Sequence, residues 1–370
     1  MRILHVVSAL AAGGAEIFVK DLCLSLAESG HSMAIAFISS AHDQGNDPKI
    51  EEQFKSDLVA GNVSVFEIGH VARNSPLRGA RRLGNIVKQF QPDVLHIHLG
   101  RGLVFRSLMF SRIPTIYTHH NILFKFGPIL TACFDRFIFS YVAICKSCEE
   151  LLGRRTSRPV TLIRNGISKR RVAPQDSSRG NHLFKVVSVG RISAQKNYRS
   201  IILIAKICTQ HIPNAEAHIR FQICGDGADI ETMRDAARAE GVDDIVHFLG
   251  GRTDVPELMA ASDVLLMTSI FEGMPITLIE AAHAGLPMIA TDVGGCNEIA
   301  RHGENGFIFT PNDNEVAAAS ILKLFRNPVL CRQFSAKSLE IAEDFGMEKV
   351  SILHLALYEK LLRNKIKKAN

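Results

Sequence analysis

Val264-Leu-Leu-Met-Thr-Ser-Ile-Phe-Glu-Gly-Met-Pro-Ile-Thr-Leu-Ile-Glu280 passes from an apolar run through a turn into a second apolar segment. The run Val264–Ser269 lacks polar alternation, as expected of a strand buried on both faces. Gly273-Met274-Pro275 interrupts it, and Pro275 fits the first position of a following helix. Glu272 then stands just beyond a strand's C-terminal end, where open α/β sheets place ligands. Glu280 falls more than one turn inside the helix. Gly273 allows close backbone approach, and the helix start offers unpaired N–H groups to an anion. Two acids at this spacing also suit a solvated helix face. A strand–turn–helix, however, needs no acid at its tip in order to fold.

Working outward, the same alternation repeats along the chain. Apolar runs occur at Ile3–Val7, Met33–Ile38, Val63–Ile68, Val94–His98, Thr115–Thr118 and Tyr141–Ile144. A second series occupies Lys185–Val189, Arg220–Cys224, Ile245–Leu249, Pro287–Thr291 and Phe307–Phe309. Helical patterns separate the runs; in the first of them Phe18, Leu22 and Leu26 mark one apolar face. Strands alternating with helices imply βαβ units and mostly parallel sheets. The pattern breaks in the basic, Gly/Pro/Ser-rich stretch from Asn165 to His182. The expected fold class is α/β, with two Rossmann-like domains joined by a linker and facing across a cleft, a preferred position for ligands. The boundaries read as 1–168, a linker at 169–182, 183–346, and a long C-terminal helix over 347–370 with a basic tail.

A length of 370 residues is too great for one ordinary core, which supports two domains. With 46% hydrophobic and 22% charged residues the chain is globular, and disorder is excluded. No apolar run reaches the length of a membrane span. The first residues faintly imitate a signal peptide, but His5 interrupts the run, so it reads as a buried strand of a cytoplasmic protein. Eight cysteines lack metal-like pairing. Cys145-Lys-Ser-Cys148 reads either as a redox pair or as two ordinary thiols at a strand end. The net charge of +6 is concentrated in two stretches. Arg73, Arg78, Arg81, Arg82, Lys88, Arg101, Arg106 and Arg112 form one, and Arg154 to Arg179 the other. Such clusters attract anionic surfaces. No nucleic-acid motif accompanies them, so an anionic membrane face or a phosphorylated substrate is the better partner.

Other residues at strand ends could carry chemistry. Gly13-Gly14-Ala15-Glu16 opens a helix after the first strand, either as a phosphate- or sugar-contacting turn or as a plain tight turn. It is not the dinucleotide fingerprint, which disfavours a nicotinamide-dependent dehydrogenase. Arg191 and Lys196 follow the strand ending at Val189 and suit a diphosphate, one as a bidentate donor and the other as a point charge. Their loop has no acidic cluster for Mg²⁺, so the cations could themselves neutralise a leaving diphosphate. Cys224-Gly225-Asp226-Gly227 is explained by a turn. Arg252 could face a nucleobase, or Thr253 or Asp254 could cap a helix. In the first half His98, His119 and His120 stand at strand ends, where a neutral imidazole can hydrogen-bond a sugar hydroxyl. His96 reads as packed. No Asp or Cys companions point to metal.

Taken together, the chain resembles the family 4 retaining glycosyltransferases of GT-B fold. The resemblance runs over nearly the full length. It is carried by Gly13-Gly-Ala-Glu16, Asp93-Val-Leu-His-Ile-His98, Tyr117-Thr-His-His120, Ile163-Arg-Asn-Gly-Ile167 and Val189-Gly-Arg-Ile-Ser-Ala-Gln-Lys196. Ile223-Cys-Gly-Asp-Gly227, Phe248-Leu-Gly250, Phe271-Glu-Gly-Met-Pro275 through Glu280, and Phe345-Gly-Met-Glu before the last helix complete it. By this resemblance Arg191 and Lys196 would bind the donor's diphosphate and Glu280 the ribose hydroxyls. Glu272, Gly273, Met274 and Pro275 would contact the transferred sugar. Gly14 would approach the phosphate or acceptor, and His120 would lie by the donor sugar. Arg252 and Asp254 would sit near the base, and the last helix would cross back to the first domain. The family usually has Gly-Phe-Gly after the first Glu; Gly273-Met274-Pro275 departs from this, and the doublet His119-His120 is also less usual.

The expectation is therefore a metal-independent, retaining transferase with no cofactor. It would move a sugar from a UDP- or GDP-sugar to a lipid-linked saccharide in surface polysaccharide or lipopolysaccharide assembly. The protein would be cytoplasmic or peripheral on the inner membrane face, and would not bind nucleic acid. A nucleotide-sugar epimerase or hydrolase, and a non-catalytic sugar-nucleotide-binding scaffold, are the alternatives.

Overall fold

Among the described residues thirteen strands, all in parallel pairs, account for the apolar runs. The computed structural model describes residues 1–11, 13–40, 43, 48–173 and 183–369, with side chains through residue 364. The first seven strands are β1 (Arg2–Val7), β2 (Ser32–Phe37), β3 (Ser64–Glu67), β4 (Val94–Ile97), β5 (Thr115–His119), β6 (Ile138–Ala143) and β7 (Val160–Leu162). They form one sheet in the order β3-β2-β1-β4-β5-β6-β7. The next six are β8 (Phe184–Val189), β9 (Ile219–Cys224), β10 (Val246–Gly250), β11 (Val264–Met267), β12 (Met288–Thr291) and β13 (Gly306–Phe309). They form a second sheet in the order β10-β9-β8-β11-β12-β13.

Each sheet grows outward from its first strand and then restarts on that strand's other side. The order reverses between β1 and β4 in one sheet and between β8 and β11 in the other, where ligands of doubly wound folds gather beyond the strands' carboxyl ends. Burial explains why these strands read so clearly. Every residue of β4, β11 and β12 is buried, so no polar alternation is needed. Three-residue β7, half-buried and preceded by basic residues, was not visible as a strand.

The chain divides into two compact units, one of Met1–Ser168 with Gly346–Asn370 and the other of Lys169–Phe345. Gly346 therefore groups with the first unit. The expected linker at 169–182 lies partly outside the described residues, and its first part, Lys169–Arg171, is a 3₁₀ turn of the second unit. The C-terminal helix Met347–Ala369 packs on the first unit through Val350, His354, Leu357, Tyr358 and Leu361. These residues recur at helical spacing and make one buried face. Ser351 Oγ donates to Ser25 Oγ on the helix Gly14–Glu28 at 2.9 Å, and Met347 N donates to Ile167 O at 3.0 Å. No described helix is long and apolar enough to cross a membrane.

Candidate functional site

In the second unit the loops after β8 and β11 are tied together. Ile270 N donates to Gln195 O at 2.8 Å, and Gln195 Nε2 donates to Phe271 O at 2.9 Å. Thr268 Oγ1 donates to Lys196 O at 3.0 Å. These bonds bring Lys196 Nζ to 2.7 Å from Glu272 Oε1, with side chains 19% and 9% exposed. A carboxylate this withdrawn from water needs such a partner. Arg191 stands nearby in sequence with its side chain exposed, and among the described residues its guanidinium has no ion-pair partner.

A third loop holds Glu272 from the other side. Gly295 N donates to Gly273 O at 2.7 Å. Gly294 has φ +55°, and a Cβ there would lie 1.9 Å from Glu272 O. Only glycine permits that contact. A similar constraint explains Gly225, where a Cβ would meet Gly190 O at 2.0 Å, so the loops after β8 and β9 touch backbone to backbone.

Pro275 precedes the helix Ile276–His283 as its N-cap, with ψ 120°, and is not its first helical residue. The proline ring fixes φ but leaves ψ free, and here ψ stays extended. The carbonyl still accepts the first helical bond, from Leu278 N at 3.2 Å. Glu280, one turn further on, meets an arginine that the sequence did not single out. Arg171 Nη2 and Nε both donate to its Oε1, at 2.6 and 3.1 Å. Arg252 and Asp254 form an exposed ion pair with each other. Asp254 occupies the N-cap of Val255–Ala260, but its side chain makes no cap bond and turns to Arg252 instead.

In the first unit the histidines form a connected buried group. His5 Nδ1 and His98 Nε2 share a hydrogen bond of 2.9 Å; His98 Nδ1 and His120 Nε2 share another of 2.9 Å. His96 joins Tyr358 Oη and Thr118 Oγ1, both at 2.7 Å, and is packed as its position suggested. His119 is buried in β5 against Tyr117 Oη and the ring of Phe124. His120 is thus the histidine joined to the chain; the residue is partly exposed, but its Nδ1 is buried without a partner. Burial lowers His5 and His120 to about 3, with repulsion from His354 added to both. It lowers His119 and His354 to about 4 and holds His96 and His98 well below the usual imidazole range. All six are neutral at pH 7.

His5, His96 and His98 each bring a ring nitrogen within 4.8 Å of the others, close enough to suit a metal. Both nitrogens of His96 and of His98, however, already have hydrogen-bond partners. Gly14 is exposed at the first position of Gly14–Glu28, where Glu16 accepts from Ser8 Oγ. Cys145 and Cys148 are buried, and neither is in a disulfide. Arg106, counted above among the membrane-attracting basic residues, is only 3% exposed. It donates to Thr115 Oγ1 and to the carbonyls of Ser111 and Ile113, and is therefore structural.

Residues 12–171 match the family described as Glycosyltransferase Family 4, and residues 170–340 match Glycosyl transferases group 1. The chain belongs to these family 4, group 1 glycosyltransferases. An uncharacterized glycosyltransferase of Haemophilus influenzae is 25% identical, covering 92% of this chain and 94% of that protein. The Escherichia coli UDP-Gal:alpha-D-GlcNAc-diphosphoundecaprenol alpha-1,3-galactosyltransferase is 24% identical, over 74% of this chain and 78% of its own length. The crystal structure of Anabaena HepE with UDP-glucose superposes with a TM-score of 0.79 at 21% identity, covering 97% and 100% of the two chains. This likeness gives the glycosyltransferase the GT-B fold, two parallel-sheet α/β domains.

Several residues of the glycosyltransferase's candidate site escaped sequence reasoning. Gly294-Gly295 follows a strand just as Gly13-Gly14 does, so the same signal was present. His5 stood out as the one polar interruption of the first apolar run. Arg171 lay within a basic stretch and carried no signal of its own.

Proposed function

We propose that the protein is a metal-independent, retaining glycosyltransferase that uses a UDP- or GDP-hexose and a lipid-linked saccharide acceptor. The observation that carries this reading is the cation–carboxylate group at the reversal of the second sheet. Arg191, unpaired among the described residues, stands in the loop whose Lys196 is already fixed on Glu272. Arg191 and Lys196 take the diphosphate, and their charge stabilises it as it leaves. Glu280, oriented by Arg171, accepts from the ribose hydroxyls, while Glu272 and the backbone of Gly273 to Pro275 meet the sugar. In the first unit, His120 is read as a donor to a sugar oxygen, and Gly14 as a contact of a phosphate or of the acceptor. Arg252 and Asp254 flank the base. The bond from C1 to the phosphate oxygen breaks as the acceptor oxygen bonds C1 on the same face, and the acceptor proton passes to the departing phosphate. HepE carries UDP-glucose in a fold of this kind, and the Escherichia coli relative is named for a diphosphoundecaprenol-linked acceptor.

The acceptor's membrane surface is recognised by the first unit, which places the protein peripherally on the inner face. Leu77, Phe110, Leu123 and Ile129 are 71%, 110%, 50% and 85% exposed. Exposed Arg78, Arg81, Arg101, Arg112 and Lys125 belong to the same sequence region. Apolar side chains with basic neighbours suit anionic lipid, and binding of this kind weakens with salt.

The test is incubation of a UDP- or GDP-sugar with and without an undecaprenyl-diphosphate-linked saccharide, with the product's anomeric configuration read by NMR. Acceptor-dependent transfer with retention, unaffected by EDTA, is expected. Inversion, or conversion of the donor without acceptor, would contradict the proposal. Flotation with anionic vesicles should fall at high salt; an absence of binding would remove the membrane assignment.

A further inference from the structure

The helix Pro128–Asp135 of the first unit is turned inside out. Its buried residues are Thr131, Phe134 and Asp135, which follow the i, i+3, i+4 spacing of one helix face. Two of these three are polar. Pro128, Ile129, Leu130, Ala132 and Cys133 are exposed, Ile129 at 85% and Leu130 at 43%, and none carries a charge. A helix that meets water turns its polar side outward instead.

The inner polar groups fix this rotation. Asp135 accepts from Tyr141 Oη at 2.8 Å, from Thr156 Oγ1 at 2.6 Å, and from Ser157 N and Oγ, both at 2.9 Å. Thr131 Oγ1 donates to Gly127 O at 3.0 Å, and the rings of Phe134 and Phe126 meet edge to face, 5.0 Å apart. Turning the helix to bury Ile129 and Leu130 would strip four donors from a carboxylate, more than two aliphatic side chains return. The apolar face is therefore held outward, as at an interaction surface.

Three observations select a bilayer with anionic headgroups as its cover. First, no Asp or Glu occurs from Val94 to Phe134, while Arg101, Lys125 and Arg136 are exposed. A Cβ on Gly100 would lie 2.6 Å from Phe126, so the start of the helix carrying Arg101 meets the loop carrying Lys125. Second, eight residues make a helix only about 12 Å long, whose outer face falls well short of the roughly 800 Å² per partner in a stable dimer. A bilayer needs no matched surface. Third, the helix connects parallel strands β5 and β6, so its first turn lies at the carboxyl end of β5, where His120 stands.

We propose that Pro128–Asp135 is the element of the first unit that enters the membrane. It lies in the interface with Ile129, Leu130 and Cys133 among the acyl chains and Arg101, Lys125 and Arg136 on anionic headgroups. This rests on the membrane contact proposed above and narrows it to one helix of fixed rotation. A lipid-linked saccharide in the same leaflet then has its head group beside the strand ends that carry His120.

Cys133, the exposed thiol of this face, provides the test. An environment-sensitive fluorophore is attached there in full-length Cys331→Ser protein, which removes the half-exposed thiol of the second unit. Mixed phosphatidylethanolamine–phosphatidylglycerol vesicles should brighten the probe and shift its emission to the blue. Lipids spin-labelled high on the acyl chain should quench it. Ile129→Ser with Leu130→Ser should lower vesicle partition by about a hundredfold, the worth of two buried aliphatic side chains. Val329→Ser, at a 54% exposed residue of the second unit, should leave partition unchanged. A silent probe on protein that floats with vesicles would overturn the proposal, while membrane contact through other residues stood. Unchanged partition of the double variant would do the same. Wild-type protein that does not float at any salt concentration would remove the membrane reading itself. A probe response that needs no lipid and grows with protein concentration would assign the face to a second copy of the chain, against the proposal.

Discussion

Replacing Glu272 with glutamine should strengthen nucleotide binding while slowing transfer. Lys196 Nζ lies 2.7 Å from Glu272 Oε1, so a phosphate held by the same ammonium would sit about 6 Å from the carboxylate. At that range two unit charges repel by about 0.7 kcal/mol in water-like surroundings and about 2.8 kcal/mol at an effective dielectric constant near 20. Glutamine keeps the shape and removes the charge. UDP should therefore bind about threefold to a hundredfold more tightly to Glu272→Gln than to the wild type, by the conversion of about 1.4 kcal/mol per tenfold. Freed Lys196 can reach water, so the lost pair should cost only about 1 kcal/mol of stability. Transfer should fall, because the carboxylate that meets the sugar is gone. Titration calorimetry of UDP at low and high salt measures the first effect, and initial rates measure the second. If Glu272→Gln weakened UDP as much as Lys196→Ala, the lysine could not be shared between carboxylate and diphosphate as described.

Glu280→Ala should mainly lower nucleotide affinity, by about tenfold to a hundredfold for lost charged hydrogen bonds, with Arg171→Ala following in the same direction; calorimetry with UDP or GDP decides it. Gly294→Ala places a Cβ 1.9 Å from Glu272 O at φ +55°, so it should cost about 1–3 kcal/mol in denaturant unfolding and displace the sugar-contacting loop. Acid should unfold the first unit early. His5 and His120 are held at about 3, and His119 and His354 at about 4, below the ordinary 6.5 of an unfolded chain. Protons therefore bind the unfolded chain first. Stability is full above pH 6.5 and is lost as pH falls toward 4, by roughly 5 kcal/mol between pH 6 and 5 for these four groups. Calorimetry across that range measures the loss, and a flat profile would contradict the neutral buried cluster.

The strands were legible because both faces of each sheet are covered, which leaves continuous apolar runs such as Val264–Met267. The order of their motifs carried the family. Pairings between distant residues were not legible. Lys196 and Glu272 were assigned to two parts of one ligand, but sequence could not reveal that they touch across 76 residues. Arg171 and Glu280 are 109 residues apart, and an arginine in a basic stretch advertises no partner. Arg106 shows the reverse case, a charge counted toward the surface that three oxygens hold inside. His5 was visible as an anomaly, but its meaning required His98 and His120, which follow other strands. Pro275 was misplaced by one residue because proline constrains φ while the helix boundary here is set by ψ.

The central claim is that the second unit binds a nucleotide diphosphate through Arg191, Lys196 and Glu280. A thermal-shift panel of UDP, GDP and ADP on the full-length protein tests it most directly. One nucleotide should raise the melting temperature with a dependence on concentration, as expected for a ligand of the folded state. The same nucleotide should lose that effect in Arg191→Ala and Glu280→Ala, both of which should melt close to the wild type without ligand. No shift with any of the three, or a shift unchanged in both variants, would contradict the site.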